Sequence, residues 1–295
     1  MVMNILDRSL LAIDKFQQKH HIIAFPYALI KKVGEDDAGF QAALITYYGF
    51  LSLFPLLLVA TSVIGILSLG NAAIEARVME SVGNYFPVVG EQLSQNIRAS
   101  SKSGIALVAG LIVTFYGARG GADAFRSALN HVWHVPKKHR AGFPKSLLHS
   151  LSITLCGGLG LMLAAILSAY AAGLGKSVVF KVLSTLASFV ILIPTFYFMY
   201  WISLPRDYVA KRDNLRGAVA SSFGIVVVQA LGGYVVTSQL KTLSPLYGTF
   251  ALVLGLLFWI YLQSLIVVYA VEFSIITKYN LWPRSLTGKM PTKAD

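Results

Sequence analysis

Charge is what this sequence lacks most. Only 13% of its 295 residues are Asp, Glu, Lys or Arg, against about 25% in a soluble domain. Hydrophobic residues make up 56%, so too little polar surface is left to cover a water-soluble globule of this length. Cysteine is almost missing as well. Cys156 stands alone, which excludes an intramolecular disulfide framework. A secretory leader is not visible: the first 39 residues hold ten charges, five of each sign, and no early uninterrupted apolar core. Acidic residues are outnumbered 13 to 25, giving a net charge of +12. In a soluble protein that surplus would point to nucleic acid. Here it reads as membrane topology, and no nucleic-acid partner is expected.

What the sequence has is long apolar runs. Thr242 to Val271 is uncharged for 30 residues, and the next residue but none is Glu272. A helix needs about 20 residues to cross a bilayer, so this run reads as a spanning helix, tilted, that ends in a carboxylate near membrane depth. An ionisable group there is a functional-site hypothesis by default. The expected fold class is all-α: a polytopic membrane protein with six transmembrane helices and an N-terminal interfacial amphipathic helix. The spans are placed at about 40–69, 104–124, 147–175, 177–204, 217–236 and 246–277 within a membrane domain of residues 40–277. Pro55 sits mid-way along the first span and predicts a kink there. The third and fourth spans are joined so tightly that they must form a hairpin. Residues 1–39 form the interfacial segment, with Ile5, Leu6, Leu10, Ile13 and Phe16 near helical spacing. A second helix over Ile22–Ile30 is broken by Pro26, and packing on the ends of the spans is the alternative to an interfacial position. Residues 278–295 are a polar tail with two prolines, expected to be loose.

Orientation follows from the basic residues. The amino-terminal segment, the second and fourth connections and the tail together hold 19 of the 25 Lys and Arg, and the alternate connections hold 6. A bias near three to one places both termini in the cytoplasm. Anionic lipids are the expected partners. A homo-oligomer is left open by the sequence.

Groups for catalysis are sparse. His131, His134 and His139 lie in one basic loop with no carboxylate among them, which reads as a solvated loop rather than a metal site. Cys156 lies in an apolar helix and reads as a small core side chain. Gly157-Gly158-Leu159-Gly160 lacks the Lys-Ser/Thr ending of a phosphate loop. No nucleophile–base pair stands at usable spacing. An enzyme is not expected, nor a cofactor or a metal.

The remaining candidates are charges at the inner ends of the spans. Arg119, Asp123, Arg126 and Asn130 follow one another at +4, +3 and +4, which stacks them on one helical face. Arg216 opens the fifth span and Glu272 closes the sixth. Two readings compete. In the structural one, Arg119 pairs with Asp123, and Glu272 pairs with Arg119 or Arg216. In the functional one, surplus arginines face a cavity and attract an anionic headgroup, since the planar guanidinium binds two oxygens at once. Gln41, Tyr47, Tyr48, Gln229 and Tyr234 either line the same cavity or bond between helices. Gly117 and Gly121 form a small-xxx-small pair that lets a neighbouring helix approach.

Several of these stretches resemble a known family. AALITYYGFLSLFPLLL in the first span, FYGARGGADAFRSALNHVWHV at the second and SPLYGTFALVLGLLFWIYLQSLIVVYAVEF at the sixth are similar to signatures of the YihY/BrkB family of bacterial inner-membrane proteins. Tyr247-Gly248, Trp259 and Glu272 fall in matching places, as do Asn130 and Trp133. LPRDYVAKRDNLRGAVAS fits the short loop before the fifth span, with Gly217 in place. The resemblance covers roughly residues 35–280. One departure is Tyr269, which precedes Ala270-Val271-Glu272 where the family carries a glycine ahead of its Ala-Glu pair. The resemblance implies six spans in the bacterial inner membrane with both termini inside. It implies little chemistry: members are linked to envelope lipid handling and virulence, and an old ribonuclease label is regarded as a misassignment. The expected function is translocation of an anionic lipid or lipid-like envelope amphiphile through a cavity open to the inner leaflet. The alternative is a non-catalytic membrane scaffold that recruits cytoplasmic partners and serves envelope integrity.

Overall fold

The computed structural model describes residues 5–67, 119–173, 178–247, 250–286 and 292–294. They form eight α-helices and one short 3-10 turn, with no strand among them. In order these are α1 (Ile5–Lys19), α2 (His21–Glu35), α3 (Ala38–Leu67), α4 (119–132), α5 (Lys145–Gly173), α6 (Val178–Ser203), α7 (Lys211–Tyr247) and α8 (Phe250–Tyr279). Four of them contain a stretch long and apolar enough to cross a membrane: Lys145–Ala164, Val182–Ser203, Lys211–Leu231 and Val253–Tyr279. Between 22% and 39% of each stretch is buried within the fold, so most of every such helix faces outward. What faces outward is apolar: Leu155, Leu159 and Leu163 on α5, Leu186 and Val190 on α6, Phe223 on α7. Apolar surface on this scale is stable against lipid and not against water.

α8 is the central element, packed against α7, α3 and α2, while α5 and α6 form a hairpin whose second helix also touches α7. The buried core runs through Phe125, Leu129, Leu192, Tyr200, Val268 and Val271. Small residues set the closest approaches. A Cβ on Gly160 would overlap the side chain of Thr195 across the α5–α6 seam. Gly121 lies so close to α3 that its N–H donates to Ser52 Oγ at 3.2 Å. Gly117, its expected partner in the small-residue pair, lies outside the described residues.

Helix boundaries differ instructively from the expected spans. α5, α6 and α8 lie within a few residues of expectation. α7 exceeds 217–236 at both ends, because hydropathy marks where a helix leaves the bilayer and not where its hydrogen bonds stop. The expected fifth loop contains no strong helix breaker before Pro245, and the helix runs through it. α2 likewise continues through Pro26. The helix of the first span continues through Pro55, and the kink expected there falls where side chains lie outside the described residues. Residues 104–118 of the second span also lie outside them, and α4 runs past the span's expected end at 124.

The tail is not loose in its described part. Arg284 pairs with Glu35 on α2 and donates from Nε to the Ala294 carbonyl at 3.0 Å. Ser285 Oγ and the Leu286 N–H donate to the two oxygens of Asp14 on α1, at 2.9 and 3.1 Å. Phe25 packs edge-on against Phe273 and Trp282. The two terminal segments therefore meet on one side of the molecule, together with the end of α8. The turn signals that bring them there are local. Asp37 and Asn280 adopt left-handed backbone, φ 50° and 51°, and the Leu281 N–H reaches back to Ile276 to close α8.

Candidate functional site

The sequence places its candidate charges on one side of the molecule, and the structure sorts them into three separate clusters. In the first, Asp123 on α4 is shared by two arginines. Arg119 Nε donates to Oδ2 at 2.9 Å and Arg126 Nη2 to Oδ1 at 3.1 Å. Helical spacing accounts for both, since residues three and four apart share a face. α5 completes the group: Ser150 Oγ donates to Asp123 Oδ1, and Arg126 donates to the Ser146 carbonyl and hydroxyl. Two guanidinium groups against one carboxylate leave the cluster with one positive charge in excess. About a third of the Arg119 and Asp123 side chains is exposed, so the surplus faces outward at the α4–α5 seam.

Asn130, on the same face of α4, does not join it. Its Nδ2 donates to the Arg126 carbonyl at 2.7 Å and to the Ser203 carbonyl at 3.0 Å. It ties the end of α4 to the end of α6. Arg140 folds back to cap α4, donating to the Val135 and Asn130 carbonyls.

The second cluster lies at the start of α7. Asp213 is flanked by Arg216 and by Lys278 from α8, each at 3.5 Å. Lys278 also lies over the ring of Trp133 at 4.9 Å and donates to the Tyr208 carbonyl. Ser274 Oγ donates to the backbone carbonyl of Asp213. Gly217, placed by the resemblance before the fifth span, packs against the ring of Tyr200. This group binds α7 to α8.

The third cluster holds Glu272, whose side chain is 0% exposed. Its neighbour is neither Arg119 nor Arg216, as expected from sequence, but Lys32 on α2, with Nζ 3.6 Å from Oε2. Lys32 is bonded to Asp36 one turn on. Asp36 Oδ1 is in turn 3.3 Å from Nε2 of His134, whose side chain is 68% exposed. Neither Glu272 oxygen accepts a hydrogen bond among the described residues. Lys32 and Asp36 were the residues that sequence reasoning passed over. They sit in a charge-rich amino-terminal stretch that reads as solvated, and nothing local shows that α2 folds onto α8. The signal was Glu272 itself, a carboxylate too buried to lack a cation.

Of the other polar positions, Gln41 is buried, Tyr47 and Tyr48 are exposed, and Gln229 is partly buried. The side chain of Tyr234 lies outside the described residues. Two gaps among the described residues span about 190 and 160 Å³. The larger is apolar, between Ile45, Phe125, Leu129 and Val268.

Comparison with known proteins agrees with this picture. The family described as Virulence factor BrkB matches residues 29–294. The chain is similar to UPF0761 membrane protein PsycPRwf_0630 of Psychrobacter, 26% identical over 87% of this chain and 49% of the relative. It is similar to Inner membrane protein YhjD of Escherichia coli, 24% identical over 92% of this chain and 86% of the relative. It is also similar to Putative ribonuclease-like protein YfkH of Bacillus subtilis, 23% identical over 80% and 88%. The chain thus spans about half the length of the Psychrobacter relative and most of the other two. No solved structure matches. Together with the outward-facing apolar helices, these relatives make this a multi-pass membrane protein.

Proposed function

We propose, from the premise that the chain belongs to the Virulence factor BrkB family, that it is a six-span inner-membrane protein that binds an anionic lipid or lipid-like envelope amphiphile and moves it between leaflets. The observation that carries this reading is the excess charge at Arg119, Asp123 and Arg126. Two arginines organised by one carboxylate and two serines present a preset, partly exposed cation at a helix seam. Such a fork suits a phosphate headgroup. The partly exposed charge at the α4–α5 seam suits a headgroup path along that surface, with the acyl chains left in lipid.

The amino-terminal helices support a membrane-surface position for α1 and α2. Asp14 is buried against the tail and Gln17 is buried, while Ile13, Phe16, Ile22 and Ile30 face outward, Ile22 with 89% of its surface exposed. Apolar side chains turned out and polar ones turned in suit a helix pair lying in a headgroup layer. The basic residues Lys15, Lys19 and Lys31 on the same helices suit anionic lipid and a cytoplasmic position for both termini.

A second reading has one observation in its favour. Asp123, Asp213 and Asp36 all have cationic partners from within the fold, as expected of a scaffold whose charges only hold helices together. Native mass spectrometry of the purified protein separates the two. Wild type keeps phosphatidylglycerol in preference to phosphatidylcholine. Arg119→Ala and Arg126→Ala each weaken that retention about tenfold, the effect of losing one charge-assisted hydrogen bond of ~1.5 kcal/mol. Equal retention of both lipids by wild type and variants would leave the scaffold reading standing.

A further inference from the structure

Glu272 is a fully buried carboxylate within an apolar helix. It lies in the apolar stretch Val253–Tyr279 with no accessible surface. Around it the accounting of charge does not close. α2 supplies Lys32 and Asp36, and α8 supplies Glu272, so two carboxylates share one ammonium. α3 carries no Asp, Glu, Lys or Arg. Asp213 and Arg216 on α7 pair with each other and with Lys278, and Glu35 on α2 pairs with Arg284 of the tail. Burying an uncompensated charge costs several kcal/mol, and among the described residues the two Glu272 oxygens accept no hydrogen bond, Lys32 Nζ standing at 3.6 Å. The cluster is one cation short.

A file of exchangeable groups leads from it to water. Lys32 Nζ stands 3.6 Å from Glu272 Oε2 and is bonded to Asp36, and Asp36 Oδ1 stands 3.3 Å from Nε2 of the exposed His134. His134 adopts left-handed backbone, φ 48°, at the end of α4, where the Val135 N–H closes the helix onto Asn130. Its exposed imidazole stands at the mouth of the file, with one ring nitrogen toward Asp36.

We propose that Glu272 is a proton-binding site within the membrane domain, loaded and unloaded through Lys32, Asp36 and His134 from the side of the molecule that carries both terminal segments. Water gives a proton to His134 Nδ1 while Nε2 releases one to Asp36. Asp36 passes a proton to Lys32 as Lys32 gives one to Glu272. One O–H bond forms on Glu272, Asp36 ends ionised and Lys32 ends as an ammonium. The imidazole returns to its first tautomer by exchange with water. The Lys32–Glu272 contact also joins α2 to α8, so occupancy at Glu272 bears on how tightly the amino-terminal helices sit. The inference deepens the transport reading by supplying a coupling ion, and it rests on that reading only for its purpose.

The test needs no lipid flux, so its failure is distinct from a failure of the transport reading. Infrared difference spectra of the full-length protein in nanodiscs are recorded between acid and alkaline buffer. Wild type gives a carboxylic C=O band that comes and goes with pH and that is lost in the isosteric Glu272→Gln variant. Asp36→Asn and His134→Gln shift the midpoint of that band or slow its appearance after a pH jump. His134 is exposed, so its variant reports even where Glu272→Gln does not fold. A wild-type band that persists in Glu272→Gln overturns the assignment. So does a band indifferent to both Asp36→Asn and His134→Gln, or one whose midpoint moves with sodium at constant ionic strength, which assigns the site to an alkali cation.

Discussion

Asn130 fastens two helix ends with one amide, and it shows what a polar side chain does in this fold. Ser203 is the last residue of α6, so its carbonyl has no following helical N–H to accept from. Asn130 Nδ2 supplies the donor. Asn130→Ala strands that buried carbonyl, and a loss of roughly 1–3 kcal/mol in stability is expected. Asn130→Asp costs as much, since a carboxylate cannot donate. Reversible unfolding in mixed micelles measures both, and variants as stable as the parent would contradict the assignment. Gly160 makes the same point for size. Gly160→Val drives a side chain into Thr195 at about 1–3 kcal/mol, and adding Thr195→Ala recovers part of that in a double-mutant cycle. Sequence spacing made the Arg119–Asp123–Arg126 face legible, because those contacts are three and four residues apart. It could not give Asn130 its partner 73 residues away, nor Glu272 its lysine on α2.

Among the elements, the amino-terminal helix pair and the tail depart furthest from expectation. A polar, proline-containing segment reads as loose, yet its ends are held by Asp14, Glu35 and Lys31. Composition describes how well a segment is solvated, whereas these bonds depend on α1 and α2 returning to meet it. Arg284→Ala removes the pair with Glu35 and the bond to Ala294. Limited trypsin digestion should then cut the tail at least several times faster than in wild type, while the helices past α3 stay protected. An unchanged digestion rate would mean the clasp holds nothing. Apolar periodicity and length, by contrast, made α5, α6 and α8 legible, because a bilayer demands both at once. The overrun of α7 was not legible for the reason already given: lipid depth and helix length are separate quantities.

For the whole molecule, the contact between Asp14 and Ser285 puts both terminal segments on one side, as the proposed six-span arrangement requires, and the proposed cytoplasmic position of that side rests on the bias of Lys and Arg. A cysteine added at either end of a Cys156→Ser background is expected to resist impermeant maleimide in intact cells and to react in inverted vesicles. Labelling from outside would reverse the orientation and every statement about which leaflet Arg119 and Arg126 face. The most direct test of the account is lipid movement itself. In liposomes carrying a fluorescent phosphatidylglycerol, dithionite quenches the outer leaflet at once and the inner pool only as lipid crosses. Wild-type protein should expose the inner pool, with Arg119→Ala and Arg126→Ala falling toward the protein-free rate and fluorescent phosphatidylcholine staying protected. A wild-type rate equal to that of empty liposomes would contradict the account.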